Sequence, residues 1–347
     1  MTAQRALIVA HGQPSDPGPA EAALAEFAAR VAECLPGDWT VGAATLAAPG
    51  ALEAALAPAG NEAAPLLIYP MFIADGWFTQ VNLPSRIREA GLEIIGGDGG
   101  PRGVGEDNSL SRAAGGDGGR PEDGVEGRGA GQVSGGGVDT PAGNGAGHPG
   151  ADGTGGPQAV ARPAGEKTPG DMRAAPSSAS EMLPRIVGSV PPAARPSVRI
   201  LPPFGLDAGI LRLALRALRT ALAEQGLRAA ETGLIVAAHG SFKSPAPAAV
   251  ARRLARAIIA ELPFAEMRTA FIDQAPRIAE FARGLPAPSL CLPLFAAAGG
   301  HVEEDLPAAL AEAGFSGRIL APLGLNQGAP DLVAAALLAA SAEQGDP

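Results

Sequence analysis

The chain of 347 residues holds few of the groups that usually announce a chemistry. Aromatic residues make up 4%, and there are two cysteines and four histidines. Cys34 and Cys291 cannot build a disulfide framework, and no CxxC pair is present, which points to a reducing compartment. Both thiols are expected to be buried apolar packing rather than chemistry. Acidic residues outnumber basic ones, for a net charge of −10. That balance argues against nucleic acid and against a membrane surface held by charge. It leaves room for an anionic small molecule, because a few local arginines can outweigh the average. No uninterrupted apolar stretch reaches the roughly 18–20 residues of a membrane span. The segment before His11 is too poor in apolar residues for a signal peptide. These absences together lead to the expectation of a cytoplasmic protein.

Glycine and proline are abundant instead, at 48 and 34 residues. More than half of the glycines fall between residues 96 and 196, a tract without periodicity and almost without large apolar side chains. Such a stretch cannot bury enough surface to offset its conformational entropy, so 96–196 is expected to be a disordered insertion. Only "SEMLPRIVG", residues 180 to 188, hints at local structure within it, and His148 is expected to have no function.

With that tract set aside, the chain reads as one unit written twice. "RALIVAHGQ" (5 to 13) matches "TGLIVAAHGS" (232 to 241), pairing His11 with His239. "AATLAAPGALEAAL" (43 to 56) matches "AFIDQAPRIAEFAR" (270 to 283), pairing Leu46 with Asp273 and Pro49 with Pro276. "IYPMFIADGWFTQVNLPSRI" (68 to 87) matches "CLPLFAAAGGHVEEDLPAAL" (291 to 310) without a gap, pairing Phe78 with His301. "VRILPPFGLDAG" (198 to 209) matches "GRILAPLGLNQG" (317 to 328). The insertion therefore interrupts the first repeat before its last strand. The first repeat spans 1–95 plus 197–226 and the second 230–345. Long surface insertions are tolerated because loop-closure entropy grows slowly with length.

Each repeat alternates short apolar runs with amphipathic ones. In the second, "GLIVAAHG", "MRTAFID", "SLCLPLFAA" and "RILAPLG" read as strands. "PAAVARRLARAIIAEL", "PRIAEFARG", "LPAALAEAG" and "PDLVAAALLAASA" read as helices, with Pro276 and Pro307 in first turns. Four strand–helix units predict an α/β fold of two similar domains. Each is a small four-stranded parallel sheet with helices on both faces, and a cleft lies between them.

In such sheets ligands bind beyond the carboxyl ends of the strands. His239 ends the first strand of the second repeat, Asp273 ends the second, and His301 follows the third. Two imidazoles and a carboxylate at one sheet edge suit a divalent transition metal with open positions, and suit proton transfer equally well. The first repeat is an internal control. His11 survives there, but Leu46 and Phe78 stand where Asp273 and His301 would be. Loss of both groups together suggests a site kept in one half only. Glu303, Glu304 and Asp305 have two readings: favourable charge at a helix N-terminus, or a carboxylate path toward His301.

"LIVAAHGSFK", "AFIDQAP" and "CLPLFAAAGGHVEEDLPAAL" resemble the sirohydrochlorin chelatases, the class II tetrapyrrole metal chelatases. The resemblance covers everything outside 96–196. It implies two similar α/β domains, a macrocycle in the cleft, and insertion of Co²⁺ or Fe²⁺ as substrate without ATP. No permanently bound cofactor is implied. The family's paired histidines fall on His239 and His301 and its acidic residue on Asp273, an Asp where a Glu is expected. These three are the candidate catalytic and metal-binding residues. Cobalt is favoured, because long two-repeat members resemble the cobalt enzymes. Arginines near the cleft should anchor the carboxylates of sirohydrochlorin, with Lys243 as a further candidate. Trp77 and Phe78 are either an apolar wall under the ring or core packing. The other readings are a carrier of metal or tetrapyrrole without catalysis, and an interaction scaffold. The chain is expected to be a monomer or homodimer.

Overall fold

The computed structural model describes residues 4–57, 64–96 and 196–343. Of the expected disordered insertion, 97–195 lies outside the described residues, as do His148 and the segment 180 to 188.

Both repeats fold as parallel α/β units. The first runs β1 (Gln4–Ala10), α1 (Pro17–Glu33), β2 (Trp39–Thr45), α2 (Ala51–Leu56), β3 (Leu66–Pro70), α3 (Leu83–Glu89), β4 (Glu93–Ile94), β5 (Ser197–Ile200) and α4 (Ile210–Glu224). The second runs β6 (Gly233–Ala238), α5 (Ala246–Glu261), β7 (Glu266–Phe271), α6 (Ile278–Phe281), β8 (Ser289–Leu294), α7 (Leu306–Glu312), β9 (Arg318–Ile319) and α8 (Ala329–Ala342). Strand order is β2-β1-β3-β5-β4 in the first sheet and β7-β6-β8-β9 in the second. The second sheet has the four strands the repeat predicts. The first gains a fifth, because Glu93 and Ile94 pair in parallel with Ser197 and Val198 at its edge. The residues flanking the insertion on both sides are thus held side by side in one sheet.

The apolar runs become strands because both faces are covered. Along β1, Ala6, Ile8 and Ala10 belong to one core and Leu7 and Val9 to another, the two-residue alternation of an extended chain. α1 buries Leu24, Phe27, Ala28 and Val31, a stripe at three- and four-residue spacing. The outer face of the first sheet is sealed by Leu52 and Leu56 of α2 and Leu83 and Ile87 of α3. The outer face of the second is sealed by Ile278, Leu306 and Leu310. The inner faces meet in one continuous core, which joins Ile8, Phe27, Tyr69 and Leu218 to Leu254, Ile258, Leu292 and Leu337. Helices α1 and α4 pack there against α8 and α5.

Two details depart from the sequence reading. α6 is a single turn, Ile278–Phe281, and Pro276 precedes it in a cis peptide, its carbonyl accepting from the Phe271 N–H at 2.9 Å. Cys291 is buried as expected, but Cys34 is exposed, its Sγ directed at Arg30 O and Asp331 Oδ1, both at 3.3 Å. No helix among the described residues is long and apolar enough to cross a membrane.

The last matched segment of the repeat is explained by close packing. A Cβ on Gly205 would sit 2.0 Å from Ile73 O, and one on Gly324 would sit 2.0 Å from Ala296 O. The Gly205 N–H donates to Phe72 O at 3.0 Å and the Gly324 N–H to Phe295 O at 2.9 Å. No side chain fits at either position, so both copies keep glycine. These contacts brace the loops that follow β3 and β8.

Candidate functional site

Three loops at the carboxyl end of the second sheet build the site. β6 ends at Ala238, and Gly240 turns the chain at φ +75°. That turn leaves His239 on the rim, with Nδ1 2.8 Å from Gly240 O. β7 is hydrogen-bonded to β6 up to Phe271, and beyond it the Asp273 N–H donates to His239 O at 2.9 Å. β8 leads into a loop that turns at Gly299, φ +149°, and then into a π-helical turn, His301–Asp305, before α7. Such turns widen the helix by one residue and recur at functional positions.

The structure brings the expected residues together. His239 Nε2 lies 2.9 Å from His301 Nε2, and the rings meet edge to face with centroids 4.2 Å apart. Asp273 Oδ2 is 3.6 Å from His239 Nε2. His301 Nδ1 lies 2.6 Å from Asp305 Oδ2. Each Nδ1 therefore faces an oxygen acceptor, which assigns its N–H to that nitrogen and leaves both Nε2 atoms bare in the neutral rings. Two bare ring nitrogens 2.9 Å apart repel unless a cation sits at or near them. A proton or a metal ion would relieve that repulsion. Two nitrogens each bound about 2.0–2.1 Å from one ion, at right angles, would be about 2.9 Å apart. The Asp273 carboxylate adds negative charge on the His239 side. Among the described residues no group of three His, Cys, Asp or Glu side chains is already closed around a metal position. The arrangement is an open nitrogen pair with a carboxylate on its flank, and it is partly exposed to solvent throughout.

Asp305 was not singled out for this role by sequence. Its four-residue spacing from His301 was the available signal, hidden in an acidic run that reads equally well as helix-end charge. Glu303 and Glu304 make no such contact in the structure. A carboxylate so placed orients the ring and holds its tautomer, an arrangement that recurs behind metal-binding imidazoles.

The first repeat keeps the frame and carries different side chains on it. His11 Nδ1 is 2.7 Å from Gly12 O, as in the second repeat. Its ring meets Phe78 edge to face at 4.3 Å between centroids, so a phenyl ring occupies the place of the second imidazole. The π-helical turn is retained at Phe78–Asn82, with Asn82 at the place of Asp305. The hydrogen-bond register corrects one pairing. The N–H of Ala47, not of Leu46, donates to His11 O at 2.9 Å, as that of Asp273 does to His239 O. Leu46 matches Ile272, and both side chains pack into the outer cores. The first repeat therefore has Ala47 where the second has Asp273. Trp77 is 60% exposed, so it does not serve the core, and it packs edge-on against Phe78. A Cβ on Gly299 would lie 3.9 Å from Gln13 Oε1, so the loop after His11 reaches the loop before His301.

The comparisons with known proteins agree with this architecture. A family model named CbiX matches residues 233–340, the repeat that holds both imidazoles. A solved CbiX, described as the terminal enzyme for biosynthesis of siroheme in denitrifying bacteria, is 33% identical, with a TM-score of 0.61, over 97% of this chain and 99% of that one. SirB of Bacillus subtilis with Fe³⁺ is 12% identical, with a TM-score of 0.51, over 99% of this chain and 98% of that one. The sirohydrochlorin chelatase SirB of Bacillus subtilis subspecies spizizenii in complex with cobalt is 11% identical, with a TM-score of 0.52, over 99% and 97%. At that identity the two SirB structures speak to the fold alone. No curated protein matches. With a third of its residues shared over nearly the full length of both chains, this chain belongs to the CbiX family, the class II tetrapyrrole metal chelatases.

Proposed function

We propose that the protein inserts a divalent metal ion into sirohydrochlorin, with His239 and His301 as the receiving pair and Asp273 assisting. The observation that carries this reading is the pair of Nε2 atoms 2.9 Å apart, with an oxygen beside each Nδ1. An incoming hydrated ion must shed waters, and imidazole nitrogens replace them without holding the ion irreversibly. Two pyrrole N–H protons must leave as one dication enters the macrocycle. Once the ion has passed to the ring, the vacated Nε2 atoms are competent to take those protons. Asp273, 3.6 Å from His239, steadies the positive charge in either state. The two states share one need, a cation between the rings, so a single geometry serves both delivery and deprotonation.

The resemblance of the long two-repeat chain favours cobalt as the metal. The relative at 33% identity is described as an enzyme of siroheme biosynthesis, and siroheme carries iron, which favours Fe²⁺. Both ions suit nitrogen ligands, and cellular availability often decides between them. The test is metal insertion into sirohydrochlorin followed by absorbance, with Co²⁺ and Fe²⁺ run in parallel. Turnover with either supports the reading, and their relative kcat/KM assigns the metal. Binding of metal and macrocycle with no acceleration over the uncatalysed reaction would leave a carrier instead.

A further inference from the structure

We infer that Arg277, stacked on Phe242, forms the docking point for a carboxylate of the macrocycle, which deepens the chelatase reading and rests on it. Phe242 stands three residues beyond His239 and is 74% exposed, the most exposed large apolar side chain among the described residues. Its loop is not loose. The Ser241 N–H donates to Gln274 Oε1 at 2.8 Å, and Ser241 Oγ accepts from the N–H groups of Lys243 and Ser244 at 3.1 and 3.2 Å. This ties the loop after His239 to the loop after Asp273, where Arg277 sits.

The Arg277 guanidinium lies 5.9 Å from the centroid of the Phe242 ring and donates through one Nη to Ile272 O at 3.0 Å. These contacts hold the guanidinium over the ring and, among the described residues, leave its other nitrogens without a hydrogen bond. On the same segment, Arg268 is paired with Glu266 and Arg283 with Glu312. Arg277 has no carboxylate partner among the described residues. An arginine held in place by a carbonyl and an aromatic face, with a free edge, is prepared for a two-pronged bond to an incoming carboxylate. Beside it, Phe242 offers an apolar surface for the edge of a flat ring. The ligand class that matches both is a planar macrocycle with acidic side arms. The matching turn of the first repeat carries Gly50 and Ala51, so this cation, like His301, belongs to one half only.

The experiment compares wild type with Arg277→Gln and Arg277→Lys, varying sirohydrochlorin at saturating Co²⁺ or Fe²⁺, whichever turns over. Loss of one such bond at a solvated rim should raise KM about tenfold in Arg277→Gln with kcat within about twofold. Arg277→Lys should recover part of the loss, and 0.5 M salt should narrow the gap. Direct titration with uroporphyrin, a ring with eight carboxylates, should show a matching loss of affinity. Co²⁺ binding without macrocycle should be unchanged, which reports an intact fold and His pair. Equal KM and equal uroporphyrin affinity in wild type and Arg277→Gln would overturn the inference alone. Wild type that neither turns over sirohydrochlorin nor binds uroporphyrin would overturn the chelatase reading and this inference with it.

Discussion

Removing the carboxylate behind His301 tests whether the imidazole pair is held ready for a cation. Asp305 Oδ2 receives the Nδ1–H of His301 at 2.6 Å, the short distance of a charge-assisted bond. That bond keeps the proton on Nδ1 and blocks the tautomer that would cap Nε2 with a proton. Loss of such a partner behind a metal-binding histidine costs 10–100-fold in metal affinity, by about the same factor in activity where the ion is in play. Both side chains here are about half exposed, 52% and 51%, so water recovers part of the bond. The low end applies: about tenfold for Asp305→Ala, or ~1.4 kcal/mol. Asp305→Asn keeps an acceptor oxygen but drops the charge, and should fall between wild type and Asp305→Ala. The assay is Co²⁺ titration followed by its visible absorption, with circular dichroism confirming the fold. Wild-type affinity in Asp305→Ala would refute the reasoning.

Other predictions follow from the packing. Gly324→Ala places a Cβ 2.0 Å from Ala296 O and should cost about 3 kcal/mol in urea unfolding. A loss under 0.5 kcal/mol would show that this contact yields freely. Alkaline pH should weaken the fold. Burial pushes the Cys291 thiol above its ordinary value of 9.0, and burial together with Asp207 pushes the Tyr69 hydroxyl above 10.0. The unfolded chain releases both protons first, so stability is full below about pH 9 and falls above it, by up to ~1.4 kcal/mol per pH unit for each group. Tyr69→Phe should flatten the fall above pH 10 and Cys291→Ala the fall from pH 9, and unaltered slopes in denaturant series would contradict this. Finally, Phe78→His with Asn82→Asp should rebuild an imidazole pair with His11 in the first repeat. Equilibrium dialysis should then show about one more Co²⁺ per chain, and unchanged stoichiometry would mean that the first repeat lacks more than these groups.

Much of this architecture is legible in the sequence because the chain carries its own comparison. The gapless match of 68 to 87 with 291 to 310 sets Phe78 against His301, and the structure superimposes their roles ring for ring. The paired glycines 205 and 324 read as mere repetition until the backbone carbonyls beside them are seen. Other features are hidden for physical reasons. The loops after β2 and β7 differ in where proline falls, so sequence matching slips by one residue and chooses Leu46 over Ala47. Apolar periodicity shows which face of a helix is buried but not against what. The joining of α1 and α4 with α5 and α8 in one core therefore appears only in three dimensions. The edge pairing of β4 with β5 crosses the insertion, and no local pattern announces it. Asp305 is masked by its acidic neighbours, since charge at a helix end and a partner for an imidazole call for the same residue.

The central claim is that one repeat carries the chemistry and the other only its frame. Metal insertion into sirohydrochlorin by wild type, His301→Ala and His11→Ala tests it most directly, under one set of conditions. The geometry predicts that His301→Ala, which leaves a single imidazole at the cation position, loses at least about a hundredfold in kcat/KM. That corresponds to about 2.7 kcal/mol of lost transition-state stabilisation. His11→Ala, which removes a ring packed edge to face on Phe78, should stay within about threefold of wild type. Equal losses in the two variants would contradict the asymmetric site.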